Sequence, residues 1–235
     1  YDHLYDIYSE YENITNLCTV NRLASNEPVK VSEEIIDLLQ FGKTVYSQSK
    51  GKTNICFGTV LELWHNEREL AKDYPEQAKL PNIDELKKAS EHTNIDDLII
   101  DEENSTVYFN DKNMRLDVGA IAKGFAVARV TQFAKENLWV SAAISIGGNV
   151  TTYGYKNNDG TTLWKIGIES PMENAEDYSE TVSITDLSVV TSGDYQRYFY
   201  VGDKKYCHII NPDTLMPSEY MASVSVLCED SGLGD

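Results

Sequence analysis

The chain has 235 residues, of which 41% are hydrophobic and 25% charged, enough to bury a sizeable core and outside the composition of disordered or collagen-like chains. Its formal net charge of −18 argues against nucleic acid or an anionic membrane surface as a partner. The same charge makes a bare pyrophosphate an awkward ligand unless a cation and local amides screen it.

In chain order, residues 2–11 place Leu4, Ile7, Tyr8 and Tyr11 at helical spacing, which predicts a short amphipathic helix. A longer helix is predicted after Ser32, an N-cap residue followed by Glu33 and Glu34, with Ile35, Leu38, Leu39 and Val45 facing inward and Gly51 ending it. Asn82 is placed to cap another, with Asp84 and Glu85 in its first turn and Leu86 on its apolar face. The period then changes. Leu98–Ile100 and Thr106–Phe109 bracket Glu103-Asn104 and predict a hairpin. A helix is predicted from near Val118 to about Glu136, with Ile121, Phe125, Ala128 and Phe133 on one face, and a strand from Ser141 to Ile146 that ends on Gly147-Gly148. Further strands are predicted over 163–168, 182–190, 197–201, 206–210 and 222–228, with a turn at Val201–Lys204. Helices first and strands later predict an α+β fold with mixed or antiparallel sheets, taken as a single domain over 1–235.

Cys18, Cys56, Cys207 and Cys228 lack CxxC spacing, so a zinc ribbon or a thioredoxin motif is not supported, and they are expected to be small buried hydrophobes. No run of about 18 apolar residues is present to span a membrane.

Four segments bear residue types suited to binding and chemistry. Gly119 to Gly124 opens a predicted helix, where unpaired N–H groups favour an anion, and Lys123 adds a mobile positive charge. Lys123 is followed by Gly124 and Phe125, so this is not a Walker A loop, and the glycines could equally serve tight packing. Asp117 stands before it as either a cap or a ligand contact. Gly147-Gly148, directly after a strand, permits positive φ or close approach of a ligand, or an ordinary turn. Thr191-Ser192-Gly193 ends a β-branched run with two hydroxyls. His208, beside Ile209, precedes the turn signal Asn211-Pro212-Asp213-Thr214 and so sits near a strand end, where binding groups are often presented.

Taken together, Leu116-Asp117-Val118-Gly119-Ala120-Ile121-Ala122-Lys123-Gly124, Gly147-Gly148-Asn149, Thr191-Ser192-Gly193-Asp194-Tyr195 and His208-Ile209-Ile210-Asn211-Pro212 resemble the FAD:protein FMN transferase (ApbE) family. The likeness extends upstream through Tyr8–Asn21 and Gly58–Trp64 and so covers nearly the whole chain. Asn211 and Leu215 stand where the family usually has Asp and Gly, and Asn54 and Cys56 lie where it more often reads Phe-Asp-x-Thr. The resemblance implies an α+β fold that binds FAD and a divalent metal, usually Mg²⁺. It implies transfer of the FMN half of FAD to a threonine or serine hydroxyl of an acceptor flavoprotein, releasing AMP. Asp117, Lys123, Gly148, Ser192 and Ile209 are implied as flavin-nucleotide contacts. The Ala120 carbonyl and Asp235 are implied as metal ligands, and His208 or Asp235 as the base. FAD hydrolysis to FMN and AMP, or flavin binding without turnover, are the alternative expectations. The family also implies export and a lipid anchor in a bacterium, with further short segments expected at both ends.

Overall fold

The computed structural model describes residues 1–172 and 177–235, and the chain groups into two compact units. The first consists of Tyr1–Ala120 and Arg197–Ser218, the second of Ile121–Gln196 and Glu219–Asp235.

The first unit begins with α1 (Asp2–Tyr5) and α2 (Leu17–Leu23), so the helical spacing over residues 2–11 yields only one turn of helix. Its continuation is cut short because the Asp6 carboxylate accepts from the N–H groups of Tyr8 and Ser9 and from the Tyr11 hydroxyl, turning the chain locally. Asn16, fully buried, caps α2 by accepting from the Thr19 N–H and donates to the Ser9 carbonyl. Next come β1 (Val29–Lys30), α3 (Glu33–Gln48), α4 (Gly58–Asp73), α5 (Ile83–Ser90), β2 (Leu98–Asp101) and β3 (Thr106–Phe109). The α3 helix buries Ile35, Ile36, Leu38 and Leu39 and ends as Gly51, at φ 82°, donates to the Tyr46 carbonyl. Asn82 caps α5 as expected, accepting from the N–H groups of Asp84 and Glu85. The predicted hairpin is β2–β3, and β1 joins it on the far side in the antiparallel order β1-β3-β2. The α4 helix is not evident in the residue pattern, because its fully inward positions, Val60, Trp64 and Ala71, are spread through a Glu-rich, charged stretch.

The second unit begins with α6 (Ala122–Glu136), β4 (Ala142–Ile146), β5 (Asn149–Tyr153), β6 (Trp164–Glu169), β7 (Tyr178–Ile184) and β8 (Ser188–Gly193). The α6 helix starts four residues later than Val118 and buries Gly124, Val127, Thr131 and Ala134, leaving Phe133 58% exposed, so its inner face lies beside the predicted one. The predicted strand over 182–190 is two strands, β7 and β8, broken where Asp186 takes φ 54° and accepts from the Gly154 N–H.

The chain then adds β9 (Tyr198–Val201), β10 (Lys204–Cys207), β11 (Ile210–Asn211) and β12 (Met216–Pro217) to the first unit. Gly202, at φ 60°, makes the predicted β9–β10 turn. Phe199 and Leu215 from this returning segment pack with Phe57, Val60, Trp64, Ala71 and Leu86 in one buried cluster. The Trp64 indole N–H, inside that cluster, donates to the Leu215 carbonyl at 3.0 Å. The last elements, β13 (Ser223–Cys228) and α7 (Ser231–Gly234), complete the second unit, whose main sheet is antiparallel in the order β13-β8-β5-β4. β6 and β7 form a separate ribbon.

All four cysteines are free among the described residues. Cys56 and Cys207 are buried as expected, whereas Cys18 and Cys228 are only half-buried. No helix of the described residues is long and apolar enough to cross a membrane. The architecture is α+β, with antiparallel sheets.

Candidate active site

The predicted site residues fall in both units: Asp117, Ala120, His208 and Ile209 in the first, Lys123, Gly148, Ser192 and Asp235 in the second.

In the first unit the segment carrying Asp117 is extended and held on two sides. The Asn21 side chain, on α2, accepts from the Leu116 N–H at 2.7 Å and donates to the Leu116 carbonyl at 3.0 Å. The Asp117 N–H donates to the Ile55 carbonyl at 2.8 Å. The Asp117 carboxylate then accepts from the Gly119 N–H at 2.8 Å, which turns the chain towards α6. Burial pushes the Asp117 carboxyl above the ordinary aspartate value, against the opposing pull of the Gly119 N–H and of His65, Arg197 and Arg68. Ala120 follows as an exposed residue of the same turn.

His208 lies between β10 and β11 and is half-buried. Its backbone N–H donates to the Arg197 carbonyl at 3.0 Å, and its ring Nδ1 is 3.1 Å from the same oxygen. A carbonyl can only accept, so Nδ1 carries the proton and the neutral ring has its basic lone pair on Nε2. That is the nitrogen a general base would use. Ile209 is exposed, and its carbonyl takes the Ser218 N–H at 2.7 Å.

In the second unit the first turn of α6 meets the end of the chain. The Gly124 N–H donates to Asp235 Oδ2 at 2.9 Å, and Lys123 Nζ is 3.7 Å from Oδ1 of the same carboxylate. The Asp235 side chain is 3% exposed and that of Lys123 37%. A Cβ on Gly124 would be driven into the Ser231 carbonyl and would come within 2.7 Å of Asp235 Cβ, so this approach requires glycine. The Lys123 stem crosses Gly147, where a Cβ would lie 2.7 Å from its Cδ. Gly147 and Gly148 have φ of 56° and 92° and make the β4–β5 turn, and the space above Gly148 is open. Asn149, next in line, is fully buried with neither side-chain polar atom hydrogen-bonded among the described residues. Ser192 is exposed on β8 opposite Val224, while its neighbour Thr191 bonds to the Ser225 hydroxyl at 2.8 Å.

The geometry therefore brings Lys123 and Asp235 together and places Gly147 under Lys123. Among the described residues no group of three or more His, Cys, Asp or Glu side chains is arranged to hold a metal ion. Asp235 is a lone carboxylate, so a Mg²⁺ there would need other oxygens. Such a donor set fits a Mg²⁺ coordinated by one carboxylate, a backbone carbonyl, water and substrate phosphates better than a preformed protein cage.

A second polar cluster in the first unit is not evident from the residue pattern. Tyr8 stacks on His65, ring centroids 4.7 Å apart, and Arg68 Nη2 lies 2.8 Å from His65 Nδ1. His65, Arg68 and Arg197 all act electrostatically on Asp117. The signal available in the sequence was the i, i+3 spacing of His65 and Arg68, which becomes informative only once α4 is recognised as a helix.

The family model described as the ApbE family matches residues 1–235. An FAD:protein FMN transferase of Klebsiella pneumoniae is 28% identical over 244 residues, covering 99% of this chain and 71% of that protein. One from Treponema pallidum is 31% identical over 227 residues, covering 92% of this chain and 61% of that protein. The crystal structure of the ApbE protein of Thermotoga maritima superposes with a TM-score of 0.84 at 28% identity, covering 99% of this chain and 71% of that one. A flavin transferase ApbE from Vibrio cholerae gives a TM-score of 0.71 at 26% identity over 93% of this chain and 67% of that one. The chain thus spans about three fifths to seven tenths of the length of these relatives.

Proposed function

The chain belongs to the ApbE family, and on that premise we propose that it transfers the FMN half of FAD to a threonine or serine hydroxyl of an acceptor protein. The acceptor oxygen attacks the FMN-side phosphorus, the pyrophosphate P–O–P bond breaks, and AMP leaves with the bridging oxygen. The hydroxyl proton goes to a base. His208 is the candidate for that part, its Nδ1 turned to the Arg197 carbonyl. Asp235 is less suited, being nearly buried with one oxygen committed to the Gly124 N–H.

The observation that carries this reading is the meeting of Lys123, the Gly124 N–H and the Asp235 carboxylate in the first turn of α6. Attack at phosphorus builds negative charge on phosphoryl oxygens, which a lysine ammonium and helix amides stabilise. Asp235 and the Ala120 carbonyl would hold Mg²⁺, which when bound neutralises phosphate charge and orients the leaving group. Asp117, Gly148, Ser192 and Ile209 would contact the nucleotide, with Gly148 offering open backbone and Ser192 an exposed hydroxyl. Export with a lipid anchor belongs to the same proposal, and the family likeness is its only support.

The test is AMP release from FAD by the full-length protein, with and without Mg²⁺ and an acceptor peptide bearing a threonine. AMP release with flavin bound covalently to the peptide supports the transferase. Release of AMP and FMN without labelling assigns hydrolysis instead, with water in place of the hydroxyl. Tight FAD binding without release would make the chain a binding protein.

A further inference from the structure

The cluster of Tyr8, His65 and Arg68 fixes the state of a histidine that none of the proposed chemistry uses. Arg68 Nη2 is 2.8 Å from His65 Nδ1. A guanidinium has donors only and keeps its charge, so Nδ1 must be the lone-pair nitrogen and the ring proton must sit on Nε2. The Tyr8 hydroxyl, on a ring stacked against the imidazole, lies 3.4 Å from the same Nδ1, so both polar contacts are to Nδ1 and neither engages Nε2. No hydrogen bond runs from Nε2 to any described residue. Tyr8 covers one face of the imidazole and is itself 63% exposed.

The charges facing His65 come from several elements. Arg68 on α4 opposes its protonation, while Glu62 and Glu69 on α4 and Asp117 on the extended segment favour it. Burial is the largest influence, and with Arg68 it holds the imidazole below its ordinary value. His65 and Asp117 act electrostatically on one another, and both belong to the first unit.

We propose that His65 is a specificity-determining residue of the nucleotide site. It is a neutral imidazole held as the Nε2–H tautomer that donates to an uncharged acceptor, a carbonyl oxygen or ring nitrogen, on the flat ring system of the nucleotide. Arg68 is the positioning residue that fixes this tautomer. The inference rests on the flavin-nucleotide reading above. A phosphate is a poorer match for the Nε2–H, because an anion is better served by a charged donor. The exposed ring of Tyr8 offers the flat ligand a surface beside the donor.

Long-range ¹H–¹⁵N spectra of the full chain test this. The chain has only four histidines, and a His65→Gln variant identifies the His65 signals by subtraction. The expected result is an Nε2–H tautomer at pH 7, an Nε2 resonance that moves when FAD is added, and a mixture of tautomers in Arg68→Met. In His65→Phe, which keeps the stack but loses the donor, FAD affinity should fall by about tenfold, and in His65→Gln by about threefold. An Nδ1–H tautomer, or a doubly protonated ring at pH 7, overturns the proposal whether or not FAD binds. FAD binding with Nε2 unmoved overturns the ligand contact and leaves the flavin-nucleotide reading standing. An equal shift produced by inorganic phosphate alone overturns the uncharged-acceptor assignment. Failure of the unmodified chain to bind FAD overturns the reading itself, and the ligand contact with it.

Discussion

The Asn21 side chain pairs with both the N–H and the carbonyl of Leu116, 95 residues along the chain, as a neighbouring strand would. Leu116 is 1% exposed, so neither backbone group can turn to water if the amide is removed. Asn21→Ala should therefore lower stability by about 2–4 kcal/mol, roughly the cost of two buried groups left unpaired. Urea denaturation measures it. Asp117 follows Leu116 directly, so FAD affinity should fall as well.

Asp117 carries the opposite sign of effect on stability. Its folded-state carboxyl titrates above its unfolded value of 3.8 because burial disfavours the anion. The folded state thus holds its proton longer, and stability falls as pH rises from that value through the folded one. Asp117→Asn should be more stable than the parent at pH 7 and lack this fall, since an amide oxygen can still accept from the Gly119 N–H. Denaturation midpoints at pH 4 and pH 7 would show it, with FAD binding weakened in the same variant.

Asp235→Asn separates charge from packing. The amide oxygen can keep the Gly124 hydrogen bond, so the fold should be retained. The negative charge beside Lys123 is lost, and Mg²⁺-dependent AMP release should drop by roughly a hundredfold or more. Unchanged release would remove Asp235 from the metal set.

For His208, the expected pattern is intact FAD binding with transfer reduced by about 10²–10⁴-fold in His208→Ala. Parent-like transfer rates would leave the Nε2 lone pair without a catalytic part.

Leu215 occupies φ 60°, a conformation in which glycine is unstrained, yet its side chain is 8% exposed within the Trp64 cluster. Relief of the backbone is worth about 1–2 kcal/mol, whereas removing a buried leucine side chain costs about 2–5 kcal/mol. Packing outweighs strain, and Leu215→Gly should lower the thermal midpoint.

Legibility in the sequence followed the range of the forces involved. Where local chemistry decides, as at Asn82, Gly51, Gly202 and the β2–β3 hairpin, the residues alone located the element. The Gly124 and Gly147 positions could be flagged, but their meaning lay in contacts with Asp235 and Lys123 that no local pattern reveals. Leu215 stood out only as a departure from the family's glycine, and its positive φ gives that departure a physical content. The helix α4 and with it the His65–Arg68 pair stayed hidden, because tertiary burial of Trp64 stabilises a segment whose own pattern is weak. Phe133 misled the reading of α6, since a large apolar side chain at near-helical spacing proved to be exposed.

The first unit is discontinuous in the chain: Trp64 finds Phe199 only after about 135 further residues have been made, and Leu215 after 151. During synthesis, α4 therefore leaves the ribosome well before the strands that cover its indole. At about 5–20 residues per second that interval lasts on the order of ten seconds, long on the timescale of aggregation and chaperone capture. The segment that completes the core, Arg197–Ser218, also bears His208. Closure of the hydrophobic cluster and delivery of the proposed base are thus one late event, and a nascent chain has its apolar surface uncovered for as long as it lacks that histidine.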